Sequence, residues 1–166
     1  MILGLSAAAF TQLHVAISLI GLLSGLATVL AMATSRNLRA VTAVFLAATA
    51  LTSLTGFFFH SARIGPPHIV GAISLVVLAV AIWARYGRHM DGIWWPVYIV
   101  TAVIALYLNG FVGVVQAFQK IPALNDLAPK GSEPPFVATQ LVVLAVAAAL
   151  GFIALRRFHP KPRPPA

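Results

Sequence analysis

Apolar residues fall into five blocks along the chain, each bounded by arginines, prolines or paired tryptophans. Crossing the ~30 Å hydrocarbon layer of a bilayer takes about 20 mostly apolar residues in a helix. Leu13–Ala33 carries no charge and ends at Ser35-Arg36-Asn37-Leu38-Arg39. Ala40–Phe59 follows that short basic turn. Ile69–Ala84 is shorter, but Pro66-Pro67 marks its start, and Arg85 is expected to snorkel toward water at its end. Val97–Val115 opens after Trp94-Trp95-Pro96, an aromatic belt of the kind found at membrane–water interfaces. Phe136–Leu155 begins behind Pro134-Pro135, where the missing proline N–H costs nothing in a first helical turn, and stops at Arg156-Arg157. The pattern predicts an all-α integral membrane protein, a bundle of five transmembrane helices over residues 1–155 with a basic, proline-rich tail at 156–166.

Composition narrows the class further. Of 166 residues, 60% are hydrophobic and 8% charged, whereas soluble domains carry about 25% charged residues. So few charges cannot cover a soluble surface, which excludes soluble, disordered and collagen-like chains. The absence of cysteine excludes disulfides, thiolate metal sites, iron–sulfur clusters and covalently attached c-type haem. No basic n-region precedes the apolar Ile2–Phe10 stretch, so a cleaved signal peptide is not expected and the first helix can begin before Leu13.

Charge sets the expected orientation. Arg36, Arg39, Arg85, Arg88, Arg156, Arg157, Lys161 and Arg163, eight of the 11 basic residues, share one side of a five-helix topology. Arg63, Lys120 and Lys130 occupy the other. This bias places the N-terminus outside and the C-terminus in the cytoplasm. The net charge of +8 therefore serves topology, and no continuous basic patch calls for a nucleic-acid partner.

Polar residues recur on single helical faces. His14, Ser18, Gly21 and Gly25 lie at i, i+4, i+7 and i+11 of the first helix. Thr49, Ser53, Gly56 and His60 repeat the spacing on the second, and Asn109, Gly113, Gln116 and Lys120 on the fourth. The small positions are those membrane helices use for close packing, so Gly21, Gly25 and Thr28 should meet another helix, in the chain or in a partner. His68 opens the third helix and Gln140 lies near the outer end of the fifth. His14, His60, His68, Gln116 and Gln140 thus gather toward the outer third, and ionisable groups within spans mark function by default. The proline-rich Gln116–Pro135 segment, about twenty residues, is long for a connection and is a candidate lid or docking segment. Within it Glu133 is expected to cap the last helix.

Several chemistries can use such a set. Imidazoles from different helices ligate haem iron, and His14, His60 and His68 could serve haem b in that way. The same three histidines could hold copper or zinc, with Asp126 or water completing the shell. A quinone needs an apolar channel with hydrogen-bonding groups such as His68, Gln116 and Gln140, and Asn109 adds a further amide to the same outer-face pocket. No metalloprotease helix, phosphate loop or serine nucleophile motif is present, so hydrolases and nucleotide-dependent enzymes have no support.

The runs Leu51–Phe59 (LTSLTGFFF), Pro67–Leu75 (PHIVGAISL), Tyr98–Asn109 (YIVTAVIALYLN) and Ser132–Phe136 (SEPPF) resemble a family of small uncharacterised proteobacterial inner-membrane proteins. The resemblance spans most of the chain and implies a bacterial multi-helix inner-membrane protein. It carries no activity and no site residues. Paired intramembrane histidines give a fainter architectural likeness to small membrane b-type cytochromes. The expected function is binding of a redox cofactor (haem b, a quinone or a metal ion) as an electron-transfer or accessory subunit. The alternatives are a non-catalytic structural subunit of a larger membrane complex and a small-solute or ion transporter acting as a homo-oligomer.

Overall fold

The structure is a computed structural model that describes Ile2, residues 4–59 and residues 65–160. The helices are α1 (Ala7–Ala33), α2 (Arg39–Gly56), α3 (Pro66–Ile82), α4 (Trp94–Lys120), the single turn α5 (Pro122–Asn125) and α6 (Pro134–Arg157). A π-helical turn, Trp83–Gly87, extends α3. Five of these, counting α3 with its π turn, are long and apolar enough to cross a membrane. Among the described residues there is no strand beyond an isolated bridge between Ile2 and Leu5.

Local chemistry sets the helix ends. The Ser6 hydroxyl accepts the Ala9 N–H at 3.2 Å and caps α1, satisfying one of the unpaired donors of a first turn. Proline opens α3, α5 and α6. The helices overrun their apolar blocks: α1 begins at Ala7, α4 runs from Trp94 to Lys120, and α6 reaches Arg157. Polar and aromatic side chains end a hydropathy run without ending the backbone ladder. In contrast, α2 stops at Gly56, and Phe57–Phe59 form a turn. The expected Gln116–Pro135 loop shrinks to Ile121–Glu133, and α5 folds it back, with the Asn125 side-chain amide donating to the Phe118 carbonyl at 3.1 Å. At the other end of α6, Phe158 is buried and the His159 ring meets Trp95 at 5.1 Å between centroids. The start of the expected tail is thus docked on the bundle, while residues 161–166 lie outside the described set.

Packing follows the small residues. In the antiparallel α1–α2 pair, His14 faces Thr55, Gly21 faces Thr49, Gly25 faces Phe45 and Thr28 faces Thr42. α4 lies against α1, α3 and α6, with Gly151 of α6 set against Val103 and Gly71 of α3 against Phe57. Val29, Phe45, Leu78, Tyr98, Ile99 and Ala105 form the fully enclosed centre. α6 is the most open of the five long helices, burying Ala147, Gly151 and Ala154 along its 24 residues. Its outward face carries Leu141, Val142 and Val146.

Candidate functional site

A seam of polar side chains runs along the shared interface of α1, α2 and α4. On α1 it follows His14, Ser18, Gly21, Gly25 and Thr28, the face legible in the sequence, over about 21 Å of helix axis at ~1.5 Å per residue. It has an open end at His14, a middle level at Gly21, an apolar plug at Gly25 and a closed end below Thr28.

At the open end, His14 Nδ1 lies 2.8 Å from the Thr55 hydroxyl. That hydroxyl also lies 2.7 Å from the Leu51 carbonyl, an acceptor only. Its hydrogen therefore goes to Leu51, so His14 donates through Nδ1–H and keeps its lone pair on Nε2. The ring packs edge-on against Phe59 at 5.0 Å. Across from it, α4 stands clear of α1: a Cβ on Gly113 would meet nothing within 4 Å, and Gln116 and Lys120 are exposed. Of the expected wall of Asn109, Gly113, Gln116 and Lys120, Asn109 reaches α1, while the other three meet no partner helix closely or are exposed.

In the middle level, Asn109 donates from Nδ2 to the Ser18 carbonyl at 3.3 Å. A Cβ on Gly21 would stand 3.0 Å from the Thr49 hydroxyl and 3.2 Å from Asn109 Nδ2, so glycine lets both polar groups reach the α1 backbone. The Thr49 hydroxyl is buried with no hydrogen-bond partner. This is a departure within the chain itself, because Thr11, Thr34, Thr52, Thr55, Thr101 and Thr139 all donate to the carbonyl four residues earlier. Thr28 instead donates across to Thr42 at 3.5 Å. Deeper in the seam, Thr49 and Thr28 thus withhold their hydroxyls from their own helices, whereas Thr55 at the open end does not. One turn on, a Cβ on Gly25 would lie 2.7 Å from the Phe45 ring and 2.9 Å from Leu106, and these side chains plug the seam.

The closed end holds the residue whose position hydropathy misplaced. Arg85 does not snorkel outward but is 7% exposed. It continues the buried face Ser74, Leu78 and Ala81 of α3, and the spacing 74, 78, 81, 85 was the signal that could have placed it. Its Nη2 donates to Asn37 Oδ1 at 3.0 Å, and its guanidinium lies 5.0 Å from the Tyr98 ring centroid. π turns of this kind recur at functional sites.

The remaining expected residues are dispersed. His68 accepts the Gly65 N–H at Nδ1, 3.3 Å away, and meets Phe57 at 5.8 Å between ring centroids. Its neutral ring therefore carries the proton on Nε2, the tautomer opposite to that of His14. The two histidines contact neighbouring residues of the same α2 terminus, His14 at Thr55 and Phe59, His68 at Phe57. His60 and Arg63 lie outside the described residues. Gln140 donates from Nε2 to the Phe111 carbonyl at 3.2 Å, joining α6 to α4, and leaves its Oε1 buried without a partner. Glu133 occupies the N-cap position of α6, but its carboxylate turns back to accept the Ser132 and Lys130 N–H groups, each at 3.0 Å. Those bonds, the Ser132 one foremost, hold the carboxyl below the usual carboxylate range. Among the described residues no group of three histidine or acidic side chains is placed to hold a metal ion. A groove of about 250 Å³ between α4 and α6 is lined by apolar residues, including Ile99, Val103, Gly151 and Phe152, and touches none of the seam.

No family model, curated protein or solved structure matches the chain.

Proposed function

We propose that the protein is a small-solute transporter of the bacterial inner membrane, with the seam between α1, α2 and α4 as its path and Gly25, Phe45 and Leu106 as its closed gate. The single observation that carries this reading is the Thr49 hydroxyl, unpartnered and buried beside Asn109 halfway along the bundle. A buried hydroxyl without a partner costs about 1–3 kcal/mol, and in a helix its own i−4 carbonyl is the ready remedy. A passing polar solute or water satisfies the group when the plug opens. His14 lies at the open end on one side of the plug, and the basic end lies on the other. In this reading the basic end faces the cytoplasm and the N-terminus lies outside. Reporter fusions after Arg157 and within Ile121–Glu133 should then report cytoplasmic and external positions, and the reverse pattern would invert the path. Stopped-flow light scattering of proteoliposomes with glycerol, urea and potassium nitrate tests transport. Phe45→Ala should raise the rate for at least one probe about tenfold or more over the unmodified protein. Rates equal to those of protein-free liposomes for every probe, in both proteins, would overturn the reading.

A second reading rests on His14. Metal-ligating histidines typically present one nitrogen while the other donates to a fixed acceptor, and the Thr55 bond leaves His14 Nε2 in that state at the open end of the seam. This favours a redox cofactor at the outer face, haem b, quinone or a metal ion, in an accessory or electron-transfer subunit. The visible spectrum of protein purified from its native membrane decides the haem case. A Soret band lost in His14→Ala would support it, and a colourless protein would remove it.

A further inference from the structure

The closed end of the seam presents a cation in search of an anion. Arg85 offers five N–H donors in a planar fork. Its partners are one neutral amide oxygen, that of Asn37 at 3.0 Å, the Met90 sulfur at 3.9 Å, and the faces of Tyr98 and Tyr86. Among the described residues no carboxylate pairs with it, although it is 7% exposed. The chain's three acids, Asp91, Asp126 and Glu133, all lie outside the five long helices. A buried guanidinium normally has a carboxylate or phosphate to answer its charge. Beside it, the Tyr98 hydroxyl is fully buried and unpartnered. Thr42 and Arg85 flank that hydroxyl, but neither makes a hydrogen bond of ordinary geometry with it.

We propose that Arg85 and the Tyr98 hydroxyl form a binding site for a small inorganic anion of halide or nitrate size, entered from the basic end. The Asn37 amide oxygen holds the acceptor position at the guanidinium. Asn37 is exposed in the turn between α1 and α2, so its side chain can swing out as the anion enters. Arg36, Arg39, Arg88, Arg156 and Arg157 stand at the same end and raise the local anion concentration. Size follows from burial: Tyr98 is 0% exposed, and a headgroup tied to two acyl chains cannot reach its hydroxyl. If the seam conducts, the site makes the solute an anion, because a cation would pass a fixed positive charge with no negative group to offset it. Binding itself is read without transport, so it can fail while conduction by neutral solutes survives, or hold in a protein that conducts nothing.

The test is thermal unfolding of the full-length protein in detergent, titrated with sodium chloride and sodium nitrate against sodium gluconate at constant ionic strength. The expected result is a saturable rise in melting temperature with chloride or nitrate and none with gluconate, as for any ligand that binds only the folded state. Tyr98→Phe, which removes one hydroxyl, should weaken the apparent affinity about three- to tenfold, the value of one hydrogen bond. Asn37→Ala should move it the other way, toward tighter binding, a change that a damaged fold would not produce. Equal melting temperatures in all three salts would overturn the proposal, as would midpoints unchanged in both variants. A shift seen only on adding phosphatidylglycerol would assign the cation to a lipid phosphate instead and would equally overturn it.

Discussion

At the end of the bundle that carries His14, the two histidines are half-exposed and satisfied close to home, and Gln140 Oε1 is the one group buried there without a partner among the described residues. His14 leans on Thr55, Thr55 on its own helix, and His68 on the Gly65 N–H. At the opposite end Arg85 and Tyr98 are drawn inside, and the Tyr98 hydroxyl makes no hydrogen bond of ordinary geometry. Water or headgroups can solvate the first set whatever the helices do. The second set has only the protein, or a ligand, to answer it. The contrast separates polar groups that an interface tolerates from polar groups that a bundle has to justify.

The largest effect should come from the plug that divides the two ends. Gly25→Leu places a branched side chain where even a Cβ would stand 2.7 Å from the Phe45 ring, and should abolish recovery of a monodisperse protein in detergent. Gly25→Ala should lose about 1–3 kcal/mol of stability, as overpacked cores do. Wild-type unfolding curves for both variants would show that the helices are not seated there.

Arg85 and Asn37 come next. Asn37→Ala leaves the guanidinium without its amide and, in gluconate buffer, should lower stability by about 1–3 kcal/mol. Arg85→Met, which removes the buried charge outright, should be neutral or stabilising, as such replacements often are. Equal losses in the two variants would mean that the pair is an ordinary structural bond, and the contrast between the ends would weaken. A matched pair of threonines sharpens the same point at smaller scale. Thr55→Val removes the acceptor of His14 and should lose about 1 kcal/mol. Thr49→Val removes a hydroxyl that bonds to nothing and should leave stability unchanged or raised. Chemical unfolding of the two variants side by side reads the difference.

The smallest effect belongs to Glu133. Its carboxyl is held below the usual range by backbone N–H bonds, so the stability it contributes is present above the ordinary carboxylate pKa of about 4.3 and is lost as pH falls through its lower folded value. Acidification from neutral pH should therefore erode the melting temperature of the unmodified protein more than that of Glu133→Gln, which lacks the charge throughout. Parallel curves would show that the turn does not depend on that carboxylate.

Much of the fold was legible because membrane helices declare themselves by length and apolar content. The α1 face at positions 14, 18, 21 and 25 was legible for the same reason: glycine and serine at helical spacing mark close approach, and Gly21 and Gly25 do make it. Helix ends were less so, since α4 keeps its ladder through Trp94 and on to Lys120 while hydropathy stops short of both. Arg85 was misplaced because an arginine at the edge of an apolar block usually turns toward water, and only its register with Ser74, Leu78 and Ala81 says otherwise. Gln116 shares a helical face with Asn109, yet it is exposed while Asn109 reaches α1, and spacing within one helix carries no information about which of its levels a neighbour covers. The unpartnered state of Thr49 was not readable at all, because it depends on which acceptor the hydroxyl fails to reach.

Because the chain has no cysteine, one introduced thiol can report on the seam without background. Thr49→Cys should resist a small, membrane-impermeant thiol reagent applied from the basic end while Phe45 is in place, and should react once Phe45→Ala is added. Reaction at the same rate in both backgrounds, or in neither, would contradict a polar path held shut at Gly25.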